Sequence, residues 1–156
     1  LEKRQKQAES DSEMAQGGTA QGERGKLRSF AAARGHVRTP AAGKVVQLFG
    51  SQGHGGTSKG MVIVTRPQAQ VTAPYDGQVV FSGPFLGYGN MVILRHSDRF
   101  HTLLAGLGRI DVYAGQFLLE GEPIGAMGEG ESSSRLYVEL RKNNQPVDPA
   151  PWMVIK

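Results

Sequence analysis

The sequence contains no cysteine. That excludes disulfides and thiolate metal sites and leaves the redox compartment open. It has no run of about 18 or more apolar residues, so no segment is long enough to cross a bilayer as a helix. No apolar stretch near the first residue has the build of a secretory signal. That residue is Leu1, so the chain is expected to be a fragment or mature product whose signal lies upstream. Net charge is scarce where it would matter for nucleic acid. Residues 1–43 carry eight Lys and Arg against five Asp and Glu, whereas residues 44–156 carry ten against nine. A nucleic-acid-binding domain concentrates its cations on the folded part, so nucleic acid is not an expected partner. Loose attraction to anionic polymers or lipid head groups remains compatible with the basic tail.

Residues 1–26, "LEKRQKQAESDSEMAQGGTAQGERGK", hold almost nothing that could be buried. They are expected to be disordered or frayed helix, because too little apolar surface offsets the ordering entropy. "LEKRQKQAE" consists of good helix formers and reads either as the last turns of an upstream helix or as plain linker. An Ala-rich piece in "LRSFAAARGHVRTP" predicts a short helix bounded by Gly35 and Pro40. The division is therefore 1–42 as linker and 43–156 as one folded domain. From Gly43 short β-rich runs recur, among them "GMVIVT", "GQVVFSG", "NMVILRH" and "RLYVELR", separated by "PYDG", "GPFLGYG" and "KNNQP". Nine such runs predict an all-β domain of antiparallel sheets, a sandwich or barrel, and not alternating βαβ units. In the last run Leu136, Val138 and Leu140 share one face, predicted to be core, while Arg135, Tyr137, Glu139 and Arg141 share the other.

Chemistry is hard to find. The four histidines are His36, His54, His96 and His101, with no H-E-x-x-H, H-x-H or H-x-x-x-D among them. A zinc site needs three or four converging ligands, and a trio of His96, His101 and Asp98 is more readily structural. Ser132, Ser133 and Ser134 precede a strand without a nucleophile elbow. "GSQGHGGTSKG" at 50–60 departs from the phosphate-loop pattern and leads into a strand instead of a helix.

The order of landmarks from Gly43 to Trp152 resembles the lysostaphin-type, or LytM, metallopeptidase domain. It runs "GKVVQLFG", "KGMVIVT", "VTAPYDGQVVFSGPFLGYGNMVILRH", "VYAGQFLLEGEPIGAMGEG", "RLYVELRKNNQPVDPAPW". Active members are zinc endopeptidases of bacterial cell walls. They carry His-x-x-x-Asp before the first core strand, Tyr-x-His after the central hairpin and His-x-His in the last strand. Here those positions hold Ser58 and Val62, Leu104 and Gly106, and Arg135 and Tyr137. The resemblance therefore implies a degenerate peptidase with no catalytic residue, no metal and no cofactor, because hydrocarbon and a guanidinium cannot ligate Zn²⁺. His96 matches a common histidine of the family.

"KGMVI" and "LYVELR" are most similar to the degenerate, EnvC-like branch. That likeness implies an activator of N-acetylmuramyl-L-alanine amidases in cell division, located in the periplasm of a Gram-negative bacterium. A signal peptide and a coiled coil would lie upstream, the latter a handle for a division-machinery regulator. The empty groove would bind an amidase helix and relieve autoinhibition. The positions implied for partner binding are Lys59, Tyr88, Met91, Leu104, Tyr137 and Arg141. The alternative is a peptidoglycan-binding module using the same groove.

Overall fold

The computed structural model describes residues 26–53 and 56–154; the polar helix or linker expected over the first residues lies largely outside that range. The chain forms β1 (Val37–Arg38), β2 (Gly43–Gln47), β3 (Gln52–Gly53), β4 (Gly56–Thr57), β5 (Met61–Thr65), β6 (Gln70–Thr72) and β7 (Gly77–Phe85). It continues through β8 (Gly89–Arg95), β9 (Phe100–Leu107), β10 (Arg109–Ile110), β11 (Phe117–Leu118), β12 (Pro123–Ala126), β13 (Arg135–Lys142), β14 (Gln145–Val147) and β15 (Met153–Val154). The all-β expectation holds. The large sheet runs β11-β7-β8-β9-β13-β5-β2 with β14 paired to β13, and a small sheet runs β10-β12-β6. Every pairing in both is antiparallel.

The turns follow from local chemistry. Asn143 and Asn144 sit at φ 51° and 63°, and Asp98 and Arg99 at 58° and 65°. Two successive positive φ values make the tight connection whose twist matches paired strands, and Asn and Asp tolerate them best.

One face of the large sheet supplies Ile63, Leu94, Leu104, Leu136, Val138 and Leu140 to the main core, against Val71 and Ile124 of the small sheet. On the opposite face a second, smaller cluster gathers Val80, Phe81, Met91, Ile93, Leu103 and Ala105. A register shift between Val79 and Phe81 of β7 lets the consecutive Val80 and Phe81 both join the second cluster, while Val79 stays in the first. β8 and β9 are thus covered on both sides.

The segment expected to be linker is part of the fold from about Arg28 onward. Phe30 is fully buried, caged by Tyr75, His96, Phe100 and Trp152 at centroid distances of 5.6, 4.7, 4.6 and 5.4 Å. Arg28 donates to both oxygens of Asp76 at 2.7 and 2.8 Å. The Phe30 amide donates to Ser97 Oγ, and Ala31 N–H to Asp98. The Ala-rich piece is one short 3-10 turn, Ala31–Ala33. β1 then pairs in parallel with β15, Val37 beside Met153. One phenylalanine inside a polar stretch carries little periodic signal, but burying it contributes roughly 2–3 kcal/mol, enough to strap the segment down.

Candidate functional site

β13 sets the site. Its odd-numbered residues leave the main core and face the second side of the large sheet. Register carries that face sideways. Tyr137 stands opposite Ala105 of β9 and Val62 of β5, and Arg135 opposite Val64. On β2, Gln47 lies opposite Val62 and Lys44 opposite Val64. The β2–β5 connection and the β7–β8 turn join this face around an open groove of about 890 Å³, lined by Val46, Leu48, Lys59, Tyr88, Tyr137 and Arg141 among others.

Glu139, at the floor, is only 1% exposed. Its Oε1 accepts the Tyr137 hydroxyl at 2.6 Å and its Oε2 accepts Arg141 Nε. A buried carboxylate is tolerable because each oxygen meets a strong donor. Burial, and the hydrogen bond to Glu139, push the Tyr137 phenol well above its ordinary range, so it remains a protonated donor. The ring lies against Gly60. A Cβ there would stand 2.9 Å from Tyr137 Cζ and 2.4 Å from Val138 O, so a residue without a side chain is required. From Tyr137 a file of rings leads inward: Tyr88 at 6.2 Å, then Phe85 at 6.1 Å from Tyr88, then Phe81 at 5.7 Å from Phe85. The aromatic surface of the groove is thereby tied to the second core.

Four of the six expected partner-binding residues, Lys59, Tyr88, Tyr137 and Arg141, line this one groove. Two need correction. Leu104 is fully buried, opposite Val92 and Val138, on the main-core side of the sheet. Met91 is on the groove side but is also fully buried, packed in the second cluster beneath the surface. Neither is available to a partner in this structure. Of the degenerate positions, Ser58 lines the groove, Val62 and Tyr137 are cross-strand neighbours, and exposed Arg135 lies one residue pair further along.

A zinc ion does not fit these residues. Val62 presents hydrocarbon, Arg135 a cation, and the Tyr137 hydroxyl is committed to Glu139. Gly106 has φ +100°, and a Cβ there would meet Arg135 O at 2.6 Å; a ligand side chain would be both strained and obstructed. Nor do His96, His101 and Asp98 make a centre. His96 is buried, with Nδ1 2.7 Å from Asp76 O and Nε2 2.7 Å from Thr102 Oγ1. Because a carbonyl only accepts, Nδ1 carries the proton and Nε2 accepts from Thr102. Burial holds its pKa down at about 4, and the ring serves the fold. Asp98 receives Ser29 and the Ala31 amide.

Glu139, Val46 and Leu48 were not expected in the site. Strand alternation had placed Glu139 on an open face, where a carboxylate needs no account. Val46 and Leu48, 47% and 56% exposed, gave one signal: they are apolar residues in an exposed edge strand and the loop after it.

Residues 56–149 match the family model described as Peptidase family M23. The chain is similar to the murein hydrolase activator NlpD of Escherichia coli (strain K12), 35% identical over 118 residues, 74% of this chain and 31% of that protein. It is also similar to the murein hydrolase activator EnvC of the same organism, 32% identical over 125 residues, 78% and 30%. It spans about a third of the length of these curated relatives. Among solved structures it shares its fold with Csd3 of Helicobacter pylori, at a TM-score of 0.67 and 20% identity over 77% of this chain and 35% of that one. Lysostaphin in solution matches at 0.64 and 22%, over 76% and 54%. The family match takes in β5 and β13, which carry the site, and the chain belongs to peptidase family M23.

Proposed function

We propose that this domain is a non-catalytic activator of peptidoglycan hydrolases. Specifically, it binds a helix of an N-acetylmuramyl-L-alanine amidase in the groove and relieves that enzyme's autoinhibition. The observation that carries the reading is the Tyr137–Glu139–Arg141 assembly. Tyr137 stands where the resemblance places a histidine of the peptidases, and Glu139 and Arg141 beside it brace an aromatic and cationic surface. Exposed Val46, Leu48 and Tyr88 border it, giving an apolar rim around Arg and Tyr anchors, the composition of a protein-binding hot spot. Two relatives are named murein hydrolase activators, and one from Pseudomonas aeruginosa is named a lipoprotein NlpD/LppB homolog. Both names support work in the bacterial envelope, with the periplasm as the compartment where such a partner acts.

The test is dye release from labelled sacculi by purified amidases of the same genome, with and without the domain. Stimulation by the wild type, and loss of it in Tyr137→Ala and Arg141→Ala at unchanged thermal stability, is expected. Absence of stimulation and of binding at micromolar concentrations for every amidase would sink the proposal. Sedimentation with sacculi in the absence of amidase, without stimulation, would favour the peptidoglycan-binding module.

A further inference from the structure

Beyond the groove lining, the same sheet face carries a row of three residues in register: Lys44 on β2, Val64 on β5 and Arg135 on β13. The neighbouring row is Gln47, Val62 and Tyr137. Lys44 and Arg135 are exposed, and Val62 and Val64 half-buried. Among the described residues neither cation has a hydrogen bond or ion pair, and the same holds for Lys59. Glu139, the carboxylate on this face among the described residues, is already consumed by Tyr137 and Arg141. Among the described residues the surface therefore offers Lys44, Lys59 and Arg135 as uncommitted cations and no uncommitted anion.

The spacing has a meaning. Adjacent strands lie roughly 4.8 Å apart, so the backbones beneath Lys44 and Arg135 stand about 10 Å apart, with a valine stripe between them. That is the diameter of an α-helix with its side chains, about 10–12 Å. A helix lying along Val62 and Val64 would bury its apolar stripe on them and have one cation at each flank.

We infer that Lys44 and Arg135 form a clamp astride the Val62–Val64 stripe for an acidic amphipathic helix, one with carboxylates on both flanks of its apolar face. This deepens, and rests on, the reading of the groove as a site for an amidase helix. Arg135, which stands where a metal ligand would be, becomes a specificity residue for the partner's charge. Complementary charge at a partly exposed rim acts chiefly on association rate and on salt sensitivity.

The experiment uses the full chain and the amidase that the wild type stimulates. Affinity and association rate are measured at 50 and 200 mM salt for the wild type, Lys44→Glu/Arg135→Glu, Tyr137→Ala, and Lys26→Glu/Arg99→Glu, two exposed cations away from the groove, as a control for net charge alone. The clamp predicts at least a tenfold weakening in the double charge reversal at low salt, mostly in association rate. The gap should narrow at 200 mM, with Lys26→Glu/Arg99→Glu near wild type. Wild-type affinity in the double reversal, with Tyr137→Ala weakened, overturns the clamp and leaves the groove reading standing. Wild-type affinity in both overturns the two together. Loss of sacculus sedimentation in the double reversal, at unchanged amidase affinity, would assign the cations to stem-peptide carboxylates and also overturn the clamp.

Discussion

Replacing Glu139 with alanine tests the site most directly. In the folded domain its carboxylate is 1% exposed and holds two donors. Removing one member of a buried charge pair costs about 3–5 kcal/mol when the survivor is trapped. Arg141 is not fully trapped, since its side chain is 20% exposed and the guanidinium can turn toward water. That brings its share down to about 1–2 kcal/mol. The Tyr137 hydroxyl loses its acceptor in a half-buried position, adding about 1 kcal/mol. Together Glu139→Ala should destabilise by about 2–3 kcal/mol. With a urea dependence of roughly 1–3 kcal/mol/M, the unfolding midpoint drops by about 1–3 M. Glu139→Gln keeps one acceptor oxygen for Arg141 and turns its NH2 to the Tyr137 hydroxyl, which can reverse and accept, so about half that shift is expected from the lost charge. Binding should weaken in both variants. The two anchors are then no longer held in place, and each side chain costs about 0.5–1.5 kcal/mol to order on association. The assay pairs urea unfolding followed by tryptophan fluorescence with amidase affinity. An alanine variant as stable as the wild type would refute the account of a braced floor. A less stable variant with unchanged affinity would show that the assembly holds the sheet and not the binding surface.

Gly60→Ala pushes a methyl group into Tyr137 and the Val138 carbonyl. It should cost about 1–3 kcal/mol and lower partner affinity, which Gly60→Ala beside a Gly130→Ala control, at a position with open space and no positive φ, can measure. His96 is neutral in the fold with a pKa of about 4 against about 6.5 in an unfolded chain. The unfolded state therefore binds more protons between these values, and stability is full above pH 6.5 and falls as pH drops toward 4. The loss from this residue is about 3 kcal/mol, read as a urea midpoint that declines between pH 6.5 and 4 and that a His96 substitution flattens over that window. Phe30→Ala should cost about 3–5 kcal/mol, and a chain started at Gly43 should lose near-ultraviolet circular dichroism; full retention of that signal would show the strap to be dispensable. Equilibrium dialysis against zinc followed by elemental analysis should give well under one ion per chain. A stoichiometric, tightly held ion would overturn the non-catalytic reading.

The sequence exposed some parts of this structure well. The alternation in "RLYVELR" is readable because one face of β13 is core and the other a groove, so polarity changes at every residue. β8 and β9 lack that contrast. From Met91 to Leu94 and from Phe100 to Ala105 every residue is buried, and period two says nothing when both faces are dry. That is why Met91 and Leu104 could be placed on the surface when one packs beneath it and the other belongs to the opposite face. Glu139 was hidden for the converse reason: a carboxylate among polar neighbours gives no hint that it is buried, since its burial depends on Tyr137 and Arg141 closing over it. The strap was hidden by composition. Arg28, Ser29 and Arg34 make its stretch look solvated, while its anchoring rests on Phe30 and on partners near the other end of the sequence.

Those partners bear on how the domain is made. Phe30 stacks on Trp152 at 5.4 Å, Gly35 and Val37 both donate to the Trp152 carbonyl, and β1 pairs with β15. Phe30, Gly35 and Val37 thus wait for Trp152 and Met153, more than a hundred positions later. On a nascent chain delivered from its N-terminus, the cage around Phe30 has no lid until residue 152 has emerged. Contacts this distant in sequence are late and slow to form. The closure acts as a delay. Until Trp152 is available, the Phe30 cage stays open on that side and the strap cannot lock.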